Sequence, residues 1–257
     1  MPISVHVSLS TIAAFVLTLT RVGTALFLLP LPGFKDAPRT VRIVFVVATT
    51  FCVLPLRVVP DSVAQGNGAF LLAMIGETAA GLLLGLPLAF LHEAFQFAAQ
   101  AVSMQSGLSI ASVYDPASRA DSGVFQVLTQ LATGFLFFLF NIHHFLLRLL
   151  GRSFDLFAGD SRVWEQASLT LVLRLAGTMF ATGLKMGLPL VLLLLLIELS
   201  LALLGRLHSQ MQLLTLAFPI KTALSCAFLA ALLVRWPSLY QHLARQMFER
   251  VSELIPF

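Results

Sequence analysis

Two apolar runs, Ala69 to Ser103 and Leu169 to Leu204, constrain this chain more than anything else in it. Each holds about 35 residues, which as a straight α-helix would measure roughly 52 to 54 Å against a hydrocarbon core of roughly 30 Å. One straight crossing would need a tilt above about 50°, outside the usual range, and two full crossings with a turn would need more residues. Each run is therefore expected to kink, to protrude from the membrane or to fold into a short hairpin. Pro87 and Pro189 mark where, since a proline removes one hydrogen bond of the helix and clashes with the carbonyl a turn back, at Leu83 and Lys185. Pro219 interrupts a further apolar run, Met211 to Val234.

The two runs also resemble each other. The stretches Gly81-Leu-Leu-Leu-Gly85-Leu86-Pro87-Leu88 and Gly183-Leu-Lys-Met-Gly187-Leu188-Pro189-Leu190 agree at six of eight positions, and Glu93 and Glu198 follow them. Each carries GxxxG, which lets helix backbones approach closely in apolar surroundings. Coincidence in a Leu-rich chain and broken helices in matching halves both account for the agreement.

With 58% hydrophobic and only 11% charged residues, the composition belongs to an integral membrane protein. The expected fold is all-α and polytopic, one integral membrane domain over residues 1–257 with about six apolar helices. Cys52 and Cys226 lie inside apolar runs and make no ligand spacing, so they read as small core residues without disulfide or metal. The net charge of +4 is modest and its cations are scattered, which argues against nucleic acid. The start, Met1 to Ser10, lacks a basic region leading to a cleavage site, so no removable signal peptide is expected.

Between two of the longest apolar runs lies a polar island at about 104–123, MQSGLSIASVYDPASRADSG. A loop carrying Gln105, Ser106, Gly107, Ser109, Asp115, Pro116 and Arg119 would lose water without replacement in lipid, so it lines water or protein. At the other end, Leu239, Leu243, Met247, Val251 and Leu254 recur at helical spacing, an amphipathic helix at about 237–255 for an interface or a partner.

Arg21, Glu77, Glu93, Arg174, Lys185, Glu198 and Lys221 interrupt apolar runs, where each ion costs a few kcal/mol. They are expected as buried charges in which Glu77, Glu93 or Glu198 pairs with Arg21, Arg174, Lys185 or Lys221, within the chain or on a partner. Lys and Arg on alternate loops divide seven against five, so the positive-inside rule sets no orientation. No catalytic motif survives inspection. His92-Glu93-Ala94-Phe95-Gln96 has Gln96 where a zinc protease needs its second His. Ser106 lacks the glycine that leads a nucleophile elbow, and His143 and His144 read as interhelical hydrogen-bond donors.

Four pieces in order, QSGLSIASVYDP, FLFNIHHFLLRLLGRSF, GLPLVLLLLLIELSLALLGRL and QMQLLTLAFPIK, resemble the FliR family of flagellar export-gate proteins and their SctT counterparts in injectisomes. The sequence departs from that pattern at Ile142, where the family usually has Gly, and at Ser209, where it usually has Pro. The resemblance implies kinked helical hairpins assembling into a helical, cone-shaped export gate of the bacterial inner membrane, at the flagellar basal body. It implies FliP-like and FliQ-like partner subunits, a FlhB-like subunit, unfolded exported proteins as cargo, no cofactor and no enzymatic activity. It also implies that 104–123 is a plug loop, in which Leu108, Ile110, Val113 and Tyr114 block the bore while Gly107 and the Asp115-Pro116 turn reverse the chain. An injectisome gate is the nearest alternative. A secondary transporter or channel is the next, supported by the GLPL motifs and the intramembrane ions.

Overall fold

The computed structural model describes residues 8–29, 37–54, 67–107, 123–156, 167–207 and 213–252, and among these the regular structure is helical. In chain order the helices are α1 (Leu9–Phe27), α2 (Arg39–Val53), α3 (Asn67–Ser106), α4 (Val124–Leu139), α5 (Ile142–Leu156), α6 (Ala167–Leu207) and α7 (Leu213–Ser252). The protein is an all-α polytopic membrane chain. Among the described residues, four helical stretches are long and apolar enough to cross a bilayer: Leu9–Phe27, Gly68–Ser106, Leu169–Arg206 and Ala217–Arg250. The pair α4 and α5 raises the number to five if it makes one span, against the six expected. The shortfall is α2, whose 15 residues extend only about 22 Å.

The chain divides into two compact units, and α3, α4, α6 and α7 each pass from one to the other partway along. The first unit comprises Met1–Ala89, Phe137–Leu175 and Gln246–Phe257. Here α1 starts at a proper cap, with Ser8 accepting from the Thr11 N–H. Its buried stripe, Ala14, Leu17, Thr18, Arg21 and Ala25, follows the helical period. That stripe shares the unit with Leu83, Leu84 and Leu88 of α3 and Leu146, Leu149 and Leu150 of α5, all buried. Phe15 of α1 meets Phe51 of α2 with ring centroids 5.1 Å apart.

The second unit comprises Phe90–Leu136 and Ala176–Arg245. Its core joins Ala99 and Val102 of α3, Phe125 of α4 and Leu190 and Leu194 of α6, with Leu224, Phe228 and Leu229 of α7 against them. Phe95 lies between Trp236 and Tyr240, its ring centroid 5.8 and 5.6 Å from theirs.

Several expectations need correction. Neither long run forms a hairpin at its proline: α3 and α6 each continue through Pro87 and Pro189 as one helix. A single missing N–H is tolerated where neighbouring helices and local adjustment re-satisfy the freed carbonyl. The break falls instead at Phe140 and Asn141, inside what reads as one apolar run from Val124 to Leu150. Asn141 adopts φ 54°, a left-handed conformation that Asn reaches more readily than most side chains. The C-terminal segment is no separate helix, because α7 runs from Leu213 through Pro219 and Pro237 to Ser252. Its buried face is Trp236, Tyr240, Leu243, Ala244 and Met247, while Leu239 is 37% exposed. Leu254 lies outside the described residues. Cys52 and Cys226 are exposed in the single chain rather than core residues, since a helix apolar on all sides does not announce which face packs.

Candidate functional site

Two constellations emerge from this fold. One is the base of the polar island; the other is a set of close helix crossings with a buried ion pair.

At the first, the island begins later than its polarity implies, because Met104, Gln105 and Ser106 are still helical. Ser106 is fully buried and its hydroxyl donates to the Ser103 carbonyl at 3.0 Å, so its polar group is satisfied inside the helix. Gly107 then ends α3 in the left-handed region, φ 80°, with its N–H on the Met104 carbonyl. On the far side Gly123 caps α4. Its N–H donates to Gln126 Oε1 at 2.8 Å while its carbonyl accepts from the Gln126 N–H at 2.9 Å, so two groups of the helix start are satisfied reciprocally. A Cβ at Gly123 would overlap Ser103 Oγ, so both ends of the island meet beside Ser103. Leu108, Ser109, Ile110, Val113, Tyr114, Asp115 and Pro116 lie outside the described residues.

One carboxylate ties this base to two further helices. Glu198 Oε2 on α6 accepts from Gln105 Nε2 at 3.2 Å and from Lys221 Nζ on α7 at 2.9 Å. Pro219 lies half a turn before Lys221. The Glu198 side chain is 56% exposed, so this pair contributes little stability by itself, within about 1 kcal/mol. Its geometric content is greater, since it joins α6, α7 and the last turn of α3.

The second constellation centres on Arg21. Its guanidinium forks onto Glu77, with Nε on Oε2 and Nη2 on Oε1 at 3.0 Å. Nη1 donates to the Ser153 carbonyl at 2.7 Å and to its hydroxyl at 3.1 Å, and the guanidinium carbon stands 4.3 Å from the Phe154 ring centroid. Arg21 and Glu77 are 2% and 5% exposed, so this pair is desolvated, and only its hydrogen bonds make it tolerable. Ser153 lies in the last turn of α5, whose carbonyls lack helical partners and carry partial negative charge; the cation satisfies one of them.

Expected pairs Arg21 with Glu77 and Lys221 with Glu198 are thus present. Glu93, Arg174, Lys185 and Glu198 are not buried charges but exposed on the surface of the single chain. Arg174 also receives Arg250 Nη1 at its carbonyl.

The glycines sit at the crossings. A Cβ at Gly81 would overlap Thr24 Oγ1 and the Arg21 carbonyl, and one at Gly85 would lie 2.8 Å from the Ala25 carbonyl. On α6, a Cβ at Gly183 would lie 2.7 Å from the Ala94 carbonyl, and one at Gly187 3.4 Å from Ala98 Cα. In both crossings the contact advances in the same direction along the two helices, so α1 with α3, and α3 with α6, cross in a parallel sense.

His92 Nδ1 is 3.0 Å from Thr133 Oγ1, and its Nε2 is 3.4 Å from Gln96 Nε2. Among the described residues no group of three His, Cys, Asp or Glu could hold a metal. The histidine pair differs from expectation: the two rings meet at a tilt of 50° with centroids 4.2 Å apart, and buried Nδ1 of His143 has no hydrogen-bond partner among the described residues. Sequence reasoning missed Ser153 and Phe154, which no pattern announces. It also missed the Gly123 to Gln126 cap, whose spacing was readable.

The sequence profile of "Bacterial export proteins, family 1" matches residues 12–247. The flagellar biosynthetic protein FliR of Escherichia coli K12 is 28% identical over 238 residues, 92% of this chain and 90% of that protein. FliR of Pectobacterium carotovorum is 30% identical over 203 residues, 79% and 76% of the two chains. FliR of Bacillus subtilis 168 is 28% identical over 216 residues, 82% and 83%.

Proposed function

The chain belongs to the family 1 bacterial export proteins, and on that footing we propose that it is a core subunit of the flagellar type III protein export gate, part of the inner-membrane conduit for unfolded flagellar proteins at the basal body. The observation that carries this reading is how little of the apolar surface the chain buries by itself. Only 17% of the most apolar stretch of α6 and 6% of that of α7 is buried, against 44% for α1. Lipid could cover leucines but not Lys185 or Glu93, which lie exposed on helices of this kind. Protein partners supply the missing groups, and FliP-like, FliQ-like and FlhB-like subunits are the partners proposed. The relatives carry the flagellar name, which favours the flagellum over the injectisome.

In this role the chain is a conduit wall and not an enzyme, and it uses no cofactor. The segment 104–123 plugs the bore at rest, with Leu108, Ile110, Val113 and Tyr114 as the obstruction. The joined ends of the island at Ser103 and Gly123 support this, because a plug needs a fixed base. Deleting Ser109 to Ala120 in the assembled gate is expected to make the membrane leak small ions. Unchanged conductance in an assembled complex overturns the plug. Coexpression tests the assembly: the chain should be degraded alone and accumulate with its neighbours. A chain that is stable alone and binds a small solute would instead be a transporter.

A further inference from the structure

We propose that the Arg21 and Glu77 ion pair is a pairing key, which decides which of two nearly identical motifs docks on α1. The problem it solves is written in the chain. GLLLGLPL on α3 and GLKMGLPL on α6 present glycines at the same spacing, and each docks in a parallel sense on a platform of two residues one turn apart. For Gly81 and Gly85 the platform is Arg21 with Ala25; for Gly183 and Gly187 it is Ala94 with Ala98. The glycines themselves do not distinguish the platforms; the side chains beside them differ, Thr24 and Leu28 on α1 and Phe97 on α3, and shape therefore acts together with the charges in the choice.

The residue one turn before each motif differs. Before Gly81 it is Glu77, and at the equivalent place before Gly183 it is Met179, itself buried. The platforms differ in the same way, Arg21 on α1 and Ala94 on α3. In the native pairing, guanidinium meets carboxylate in one crossing, and methionine and alanine occupy the same places in the other. An exchange would set Arg21 against Met179 and Glu77 against Ala94, separating guanidinium from carboxylate and leaving Arg21 only the neutral oxygens of Ser153 to offset its buried charge. Such an unpaired ion is far costlier than the pair is favourable. The key acts by penalising the exchange, not by adding stability to the correct crossing, and it is independent of what the protein exports.

The test uses the full-length chain in bacterial membranes, with Cys52→Ala and Cys226→Ala as background. A cysteine at Thr24 is combined with one at Leu82 to report the native crossing, or with one at Leu184, the same place in the second motif, to report the exchange. A short membrane-permeant bismaleimide reads both. With Arg21 and Glu77 intact, the 24–82 product is expected and 24–184 stays at background. In Arg21→Met with Glu77→Leu, which removes both ions, the 24–184 product should rise about tenfold or more. In Glu77→Met with Met179→Glu, which moves the carboxylate to α6 and leaves Arg21 in place, 24–184 should become the main product. Retention of 24–82 alone in the neutral or the moved-carboxylate variant overturns the proposal. Failure of both variants to accumulate overturns it too, because the pair would then be needed for folding at all and not for choosing a partner.

Discussion

The crossing of α1 with α3 and the crossing of α3 with α6 use the same glycine motif and end with different interiors. At the first, the backbone of α3 comes so close that Gly81 leaves no room for a Cβ beside the Arg21 carbonyl, and a hydrogen-bonded ion pair is buried a turn away. At the second, Gly183 is less tight, a Cβ there lying 2.7 Å from the Ala94 carbonyl where one at Gly81 would overlap that of Arg21, Gly187 only reaches ordinary contact with Ala98, and Met179 stands where the first crossing has an acid. Glycines set how near two helices come, whereas the residues flanking them set whether the contact is polar, and therefore how much is lost when it is made wrongly.

That contrast can be broken most severely at the ion pair. Glu77→Ala should cost about 3–5 kcal/mol by leaving Arg21 buried without its carboxylate, while Met179→Ala at the matching place should cost less, about 2–3 kcal/mol for a buried methionine. Unfolding of the chain, accumulated by coexpression with its neighbours and followed in a lipid and detergent titration, measures both, and equal losses would mean that the pair is hydrated. Next in size is Gly81→Ala, which has to displace the Arg21 backbone and should cost about 1–3 kcal/mol or more. Leucine at Gly81, Gly85 or Gly183 should abolish accumulation of the chain.

Smaller effects sharpen the difference within the second crossing. Gly183→Ala should destabilise by about 1–2 kcal/mol because of the Ala94 carbonyl. Gly187→Ala has room and gains helix propensity, so it should be neutral or stabilise by up to about 1 kcal/mol. Opposite signs at two glycines of one motif, read in the same titration, would confirm that the crossing opens toward Gly187. The smallest change is expected for Glu198→Gln at the base of the island. This exposed pair contributes within about 1 kcal/mol to stability, and a larger loss would show that it holds α6 and α7 together.

By itself the sequence determined that this is a membrane chain, that α3 and α6 are too long for a simple crossing, that glycines mark close approaches and that some of the intramembrane ions pair. These follow from composition, length and the cost of an ion in lipid, which are properties of the residues and not of their neighbours. Only the tertiary structure decided which ions are buried. Arg21 needed Glu77, the end of α5 at Ser153 and the ring of Phe154, groups far apart in sequence with no shared pattern. The structure also decided that the helix breaks at Asn141, while α3 and α6 remain helical through Pro87 and Pro189. A proline lowers the cost of a bend, but packing on both sides determines whether a bend forms. Likewise the faces of α7 were illegible where the helix is apolar all round, because hydrophobicity marks what avoids water without saying whether lipid, this chain or another will cover it.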